Sequence, residues 1–483
     1  LYADSQNSKE FKNLMGLITC PQNILLAYRN IKKNTGSKTA GVDKKTITYL
    51  ERWEPDRLIG YVQKRLEYYV PQAVRRVEIP KSSDPTKKRP LGIPTIMDRL
   101  IQQCVLQVLE PICEAKFFKR SNGFRPNRGA EHAISQAYKF MQGQHLHYVV
   151  DIDIKGFFDN VSHGKLLKQM WTLGIRDKKL LSIVSAMLKA EVAGIGFPEK
   201  GTPQGGIISP LLSNIVLNEL DWWVASQWEN IPTRFPYKCR TLRNGTLDKS
   251  NVYAELRNTD LKECYIVRYA DDFKIFCRSR KDAENIFMAT KSWLKDRLGL
   301  DISPEKSKIV NLKKHYSEFL GFKMKVVRKG RKANGQAKYA VRSHTSDKSK
   351  ERIKKRAVEA MKEIKHLSSD KQQKTIVRYN SLVMGWHNYY RFATHVSRDF
   401  SEIAFLVKGS MKGKLEKQLK KNIAKPLKSP VYIHYANSKG MRYLGNTPII
   451  PISYVKHKNP MDKKRVVNKY TAAGRAEIHK KLE

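Results

Sequence analysis

Tyr269-Ala270-Asp271-Asp272 lies between two apolar runs, Cys264-Tyr265-Ile266-Val267 and Phe273-Lys274-Ile275-Phe276-Cys277. Strand-forming residues on both sides of a short polar tip predict a hairpin with adjacent carboxylates at its turn. Neighbouring carboxylates repel, and neither tolerates burial without a partner. A divalent cation relieves both problems: magnesium takes hard oxygen ligands and uses only one or two protein carboxylates. A solvated Asp-Asp turn is the bland alternative. A second acidic element favours the metal. In Val149-Val150-Asp151-Ile152-Asp153-Ile154-Lys155-Gly156-Phe157-Phe158-Asp159, acids interrupt what otherwise reads as a buried strand. Asp151 and Asp153 fall on one face of it, because strand side chains alternate.

Charge narrows the partner. The 483 residues include 92 Lys and Arg against 45 Asp and Glu, a net of +47. Residues 323 to 483 hold 40 basic and 11 acidic side chains (+29), the first 322 residues 52 and 34 (+18). The last third therefore suits a polyanion such as nucleic acid. A membrane surface would call for an amphipathic helix with an apolar face, and none dominates; no apolar run approaches the ~20 residues of a membrane span. Mean hydropathy is -0.55, a globular profile, and the length suits several domains. The opening Leu1-Tyr2-Ala3-Asp4 has neither an initiator Met nor a signal peptide, so a trimmed N-terminus is expected. Six cysteines without a Cys-x-x-Cys pair predict free thiols of a reducing compartment, not a zinc site.

Periodicity gives the organisation. Residues 22 to 70 read as helices around a turn at 36 to 43. Val77-Glu78-Ile79-Pro80 and Arg89-Pro90-Leu91-Gly92-Ile93 form a hairpin with a polar tip, and a helix follows from about Asp98 until Pro111 ends or kinks it. Helices are expected at 129 to 142 and 162 to 190, with the acidic strand at 146 to 155 between them. Gly201-Thr202-Pro203-Gln204-Gly205-Gly206-Ile207-Ile208-Ser209-Pro210 is a turn opening a long apolar helix to about Trp223. Residues 226 to 262 read as an inserted loop or small hairpin, 281 to 298 as a helix, and Phe319-Leu320-Gly321-Phe322 as the start of a strand. A basic linker at 328 to 347 leads to helices at 348 to 366 and 370 to 393, and short basic elements with prolines follow from 408.

An acidic strand, a Gln-Gly turn with a long helix and an Asp-Asp hairpin, in that order, closely resemble the palm of reverse transcriptases. Gly123-Phe124-Arg125-Pro126-Asn127-Arg128-Gly129-Ala130, Leu217-Asn218-Glu219-Leu220-Asp221 and Leu382-Val383-Met384-Gly385-Trp386-His387-Asn388-Tyr389-Tyr390 resemble the group II intron-encoded branch and its maturase domain. The resemblance implies an α+β right-hand polymerase. Its parts would be an N-terminal extension and the start of the fingers (1–70), fingers and palm (71–325), a thumb or maturase domain (326–407) and a basic DNA-binding region (408–483).

The family pattern Asp-Ile-Lys-x-Phe-Phe-Asp lands on Asp153. The resemblance therefore implies Asp153, Asp271 and Asp272 as catalytic metal ligands, with the Ile154 carbonyl as a further one. They would hold two magnesium ions, with manganese as the alternative. Asp151 is the runner-up ligand, a salt bridge to a nearby Lys its bland reading. By the same resemblance Lys81 and Arg89 neutralise the incoming triphosphate, Phe158 is the gate against a 2′-hydroxyl, and Gln204 and Gly205 contact the nucleotide. Lys306 matches a proton donor to pyrophosphate, with Lys308 near enough to compete, and Phe319, Leu320 and Gly321 match the primer grip. The implied function is RNA-directed DNA synthesis, with intron RNA bound to assist splicing and copied into target DNA. Partners would be that RNA, a template with DNA primer, target DNA and deoxynucleoside triphosphates, in a bacterial cytoplasm or an organelle. A splicing-only maturase and a retron or defence-type reverse transcriptase are the alternatives.

Overall fold

The structure is a computed structural model. It describes residues 1–483 apart from 82–83, 243–246, 332, 334, 413, 422–429, 465 and 481–483; side chains at 81, 84–87, 369–370, 414 and 430 also lie outside the described set. The chain packs into two compact units that mix helix and sheet. One comprises Leu1–Ala133, Val150–Ile309 and Lys463–Glu483, the other Ile134–Val149 and Val310–Asp462.

In the first unit, helices Pro21–Lys32 and Pro55–Glu67 each begin with proline, whose fixed φ suits the first helical position. They bury Ile24, Ala27 and Ile31, and Leu58, Val62 and Leu66, at helical spacing. Strands β1 (Arg75–Lys81) and β2 (Asp84–Ile93) form the expected hairpin, with Ile79 opposite Arg89. The helix Ile96–Glu114 then runs through Pro111 instead of stopping there. β3 (Tyr148–Ile152), β4 (Cys264–Tyr269), β5 (Asp272–Cys277) and β6 (Lys308–Asn311) form a sheet in the order β4-β5-β3-β6. Every residue from Cys264 to Arg268 and from Phe273 to Cys277 is buried, so both faces of this hairpin are covered. Helix Ser209–Ser226 packs on β4 and helix Arg280–Trp293 on β5. Residues 226 to 262 contain a short helix, Ser250–Arg257, and an isolated bridge between Thr241 and Leu247. All six cysteines are free, four of them buried.

The second unit holds an antiparallel meander, β7 (Ser317–Phe319), β8 (Phe322–Arg331) and β9 (Ala337–Thr345), followed by helices Asp347–His366, Ser369–Tyr390 and Val396–Met411. The meander corrects the expected linker at 328 to 347. Phe322, Met324 and Val326 alternate inward, but beyond Val327 β8 is basic and exposed and the inward positions of β9 include the polar Ser343 and Thr345, so this stretch reads as linker. Among the described residues no helix is long and apolar enough to cross a membrane.

Candidate active site

The β4–β5 hairpin pairs Tyr269 with Asp272, leaving Ala270 and Asp271 at its tip. Ala270 sits at φ +58°, a left-handed conformation costly for any residue with a Cβ. The structure beneath holds it there. Arg268 Nη1 donates to the Ala270 carbonyl at 2.8 Å and to Asn214 Oδ1 at 2.9 Å, and the same guanidinium pairs with Asp221 at 2.6 Å. Asn214 and Asp221 are seven residues apart and so share one face of the Ser209–Ser226 helix. Asn214 Nδ2 donates to the Gly123 carbonyl, and a Cβ on Gly123 would lie 2.2 Å from the Ala270 nitrogen. Residues 120–122 run along the edge of β4: Arg268 N–H donates to the Arg120 carbonyl and Asn122 N–H to the Arg268 carbonyl.

Asp153 follows directly on β3. Its carbonyl accepts from Ser303 N–H, and Lys155 N–H donates to the Asp301 carbonyl. These bonds flank the bridge between Ile154 and Ile302, so the N–H and C=O of Ile154 point away from Ile302, toward the flank where β5 pairs with β3. Lys306 Nζ lies 3.1 Å from Asp153 Oδ2, whereas Lys308 is an exposed residue of β6. Asp151 is committed elsewhere: Lys274 of β5 pairs with it at 2.9 Å, both nearly buried. Asp271 is exposed, yet the protein around it strips away hydration and holds its carboxyl above the usual range, with the Asp153 charge adding to the rise. The two carboxylates therefore feel each other. Asp272 is exposed at the start of β5.

The remaining nucleotide candidates surround two main-chain contacts. Thr202 N–H donates to the Phe158 carbonyl at 2.7 Å, and Phe158 stands half-buried with its ring against Phe157. Gly92 N–H donates to the Gln204 carbonyl at 2.6 Å, joining the strand of Arg89 to the Gln-Gly turn. Gly205 has φ +114°, and a Cβ there would lie 2.4 Å from the Gly92 carbonyl oxygen, so the junction requires glycine. The Gln204 amide donates to Asp159. Arg89 is exposed; Lys81 ends β1, and its side chain lies outside the described residues.

In the second unit, Phe319 is buried opposite Phe322, with Leu320 (φ +52°) and Gly321 (φ +78°) as the two-residue turn between them. Tyr389 donates to the Leu320 carbonyl, Ser346 N–H to the Gly321 carbonyl, and a cavity of about 410 Å³ lies beside the turn, lined by Arg352, Trp386 and Tyr390 among others.

Residues 79–324 match the family model for reverse transcriptase (RNA-dependent DNA polymerase). The chain is 30% identical over 464 residues to the group II intron-encoded protein LtrA of Lactococcus lactis subsp. cremoris, covering 84% of this chain and 75% of that protein. The chain belongs to the group II intron-encoded reverse transcriptases. It is also 32% identical over 332 residues to protein YkfC of Escherichia coli (67% of this chain, 85% of that protein). A putative COX1/OXI3 intron 2 protein of Saccharomyces cerevisiae shares 27% identity over 464 residues, 84% of this chain and 52% of that protein.

Divalent metal is general to this family, and the donors of this reverse transcriptase fit it: two mutually repelling carboxylates, Asp153 and Asp271, near an outward-turned main-chain carbonyl. Among the described residues no group of three or more His, Cys, Asp or Glu is arranged as a ready-made metal cage. Asp272 thus does not complete a three-carboxylate cage, which suits magnesium sites that draw remaining ligands from phosphates and water. Sequence reading missed the support under the turn. Its one signal was Arg268, a charge inside a strand too apolar to solvate it.

Proposed function

We propose that this reverse transcriptase copies RNA into DNA at the site formed by Asp153, Asp271 and the Ile154 carbonyl, with Asp272 beside them. The convergence of Asp153 and Asp271 under a neutralising Lys306 carries the reading. Two magnesium ions bound there, or manganese in their place, would activate the primer 3′-hydroxyl and neutralise the triphosphate and its leaving pyrophosphate. Lys306 would move from Asp153 to the incoming triphosphate and give its proton to pyrophosphate as the primer oxygen, its own proton passed to water, bonds to the α-phosphorus and the bridging bond from the α-phosphorus to the β-phosphate oxygen breaks. Lys81 and Arg89 would clamp the triphosphate, Gln204 and the Gly205 backbone would position the nucleotide, and the Phe158 ring would exclude a 2′-hydroxyl. Phe319, Leu320 and Gly321 would hold the primer strand.

The names of the relatives extend the reading to binding of the host intron RNA, assistance in its splicing, and copying into target DNA within a ribonucleoprotein. The functional parts would be the extension (1–70), fingers and palm (71–325), thumb or maturase domain (326–407) and DNA-binding region (408–483). Primer extension on an RNA template with magnesium is the test. Wild-type protein should extend, and Asp271→Ala should bind the template-primer but not extend it. Extension by that variant at the wild-type rate would overturn the assignment.

A further inference from the structure

The β8–β9 hairpin carries a charge arrangement that folding alone does not favour. Between Phe322 and Thr345 the sequence has eight Lys or Arg and no Asp or Glu. Register sorts its residues. The pairs Phe322–Thr345, Met324–Ser343 and Val326–Val341 are buried, so Lys323–His344, Lys325–Arg342 and Val327–Ala340 share the opposite face. Lys325 thus stands directly opposite Arg342, and like charges in that position destabilise a ladder. At the root the lysine charge is answered, Asp347 pairing with Lys323 at 2.7 Å, and His344 is hydrogen-bonded to Asp399 at 2.8 Å. Farther out, Lys325, Arg328, Lys329, Arg331, Lys338 and Arg342 have no ion pair with any described carboxylate. An aromatic ring lies among these cations. Lys325 Nζ sits 4.7 Å and Lys323 Nζ 5.6 Å from the Tyr316 ring centroid, whereas Tyr339 and Arg328 pair on the inward side, where the Tyr339 ring meets His147.

We propose that this face docks the phosphate backbone of folded RNA, as a surface additional to the template-primer site; the proposal rests on the RNA-dependent function above. Uncompensated cations gain most from a polyanion that releases its counterions. Folded RNA fits better than duplex DNA, because Tyr316, flanked by Lys323 and Lys325, can stack an unpaired loop base that a DNA duplex keeps inside its helix.

The test uses the full chain with its template-primer site saturated by poly(rA)/oligo(dT), and a transfer RNA as probe. In the triple variant Lys325→Gln, Lys329→Gln, Arg342→Gln, affinity for that RNA should fall at least about tenfold. The slope of log affinity against log salt should flatten by about 2–3, one part per lost phosphate contact. Primer extension on poly(rA)/oligo(dT) and the melting temperature should stay at wild-type values. Should the triple variant melt early, Lys329→Gln with Lys338→Gln, both exposed, should show a smaller flattening without that defect. An unchanged slope, or an equal loss toward a DNA hairpin of the same length, would overturn the proposal. So would loss of primer extension alongside RNA binding, which would place these cations in the template-primer site. A wild-type protein that binds the transfer RNA but does not extend a primer would count against the polymerase reading alone.

Discussion

Arg268 and Asp221 form an ion pair at 2.6 Å with both side chains fully buried, and the same guanidinium caps the carbonyl of the left-handed Ala270. Burial raises the Asp221 carboxyl and the guanidinium offsets that rise, so neither charge tolerates losing the other. Arg268→Ala would strand a buried carboxylate, at a cost of about 3–5 kcal/mol. Arg268→Lys keeps the charge but loses the planar fork that reaches Asp221, Asn214 and Ala270 together. The Lys variant should fold, bind template-primer normally and lose about tenfold or more in kcat, because Asp271 is no longer fixed. Steady-state primer extension read beside thermal melts checks this, and wild-type kcat in the Lys variant would show that the fork does not set the turn.

Gly123 makes a second, independent claim on the same turn. A methyl group there would meet the Ala270 nitrogen at 2.2 Å, and backbone cannot yield as a flexible side chain can. Gly123→Ala should cost about 1–3 kcal/mol and impair extension. Gly164→Ala, whose added Cβ meets nothing within 4 Å, should be neutral or slightly stabilising. Equal melting temperatures for the two variants would contradict the close approach.

Much of the acidic site was legible because its signals are local. The Asp-Asp tip sits between two strand-like runs, and the sequence order of acidic strand, Gln-Gly turn and hairpin needs no long-range knowledge. The Asp151–Lys274 pair was foreseeable in kind, since a buried strand acid needs a cation. What stayed hidden was contact between distant segments. Gly123 and Ala270 are 147 positions apart (270 − 123), and nothing in either string announces a 2.2 Å approach. The β8–β9 hairpin was hidden for a different reason: from Arg328 to Lys338 no large apolar residue marks an inward face, the buried positions Ser343 and Thr345 of β9 are polar, and Gly330 and Gly335, both at positive φ, read as breakers.

His387 should make the second unit acid-sensitive. It is buried in the Ser369–Tyr390 helix, with one ring nitrogen 2.8 Å from the Ile452 carbonyl and the other 3.1 Å from the Tyr435 hydroxyl. Burial pulls its pKa down to about 4. Above the ordinary histidine value near 6.5 it is neutral in both folded and unfolded chains. Below that value the unfolded chain takes up a proton the folded one refuses, so stability falls between about pH 6.5 and 4, by on the order of 3 kcal/mol in full. Wild type should lose melting temperature between about pH 7 and 5, and His387→Asn should start lower but lose less over that interval. Parallel slopes for the two proteins would assign the acid sensitivity to other groups.

Asp271 should trade stability for function, with the opposite sign. Its carboxyl is raised by lost hydration first and by the Asp153 charge second, so keeping it ionised costs the folded state. That penalty is present at neutral pH and fades as acid protonates the group, beginning at a higher pH than for an ordinary carboxylate. Asp271→Asn should therefore melt slightly higher than wild type in EDTA while losing primer extension. Magnesium should stabilise wild type by mass action, about 1.4 kcal/mol at a tenfold excess over its Kd, and leave the variant nearly unmoved. Acidification should weaken that magnesium effect before it unfolds the protein. Melts with and without magnesium across pH read all three outcomes, and an equal magnesium response in both proteins would mean that Asp271 is not a ligand.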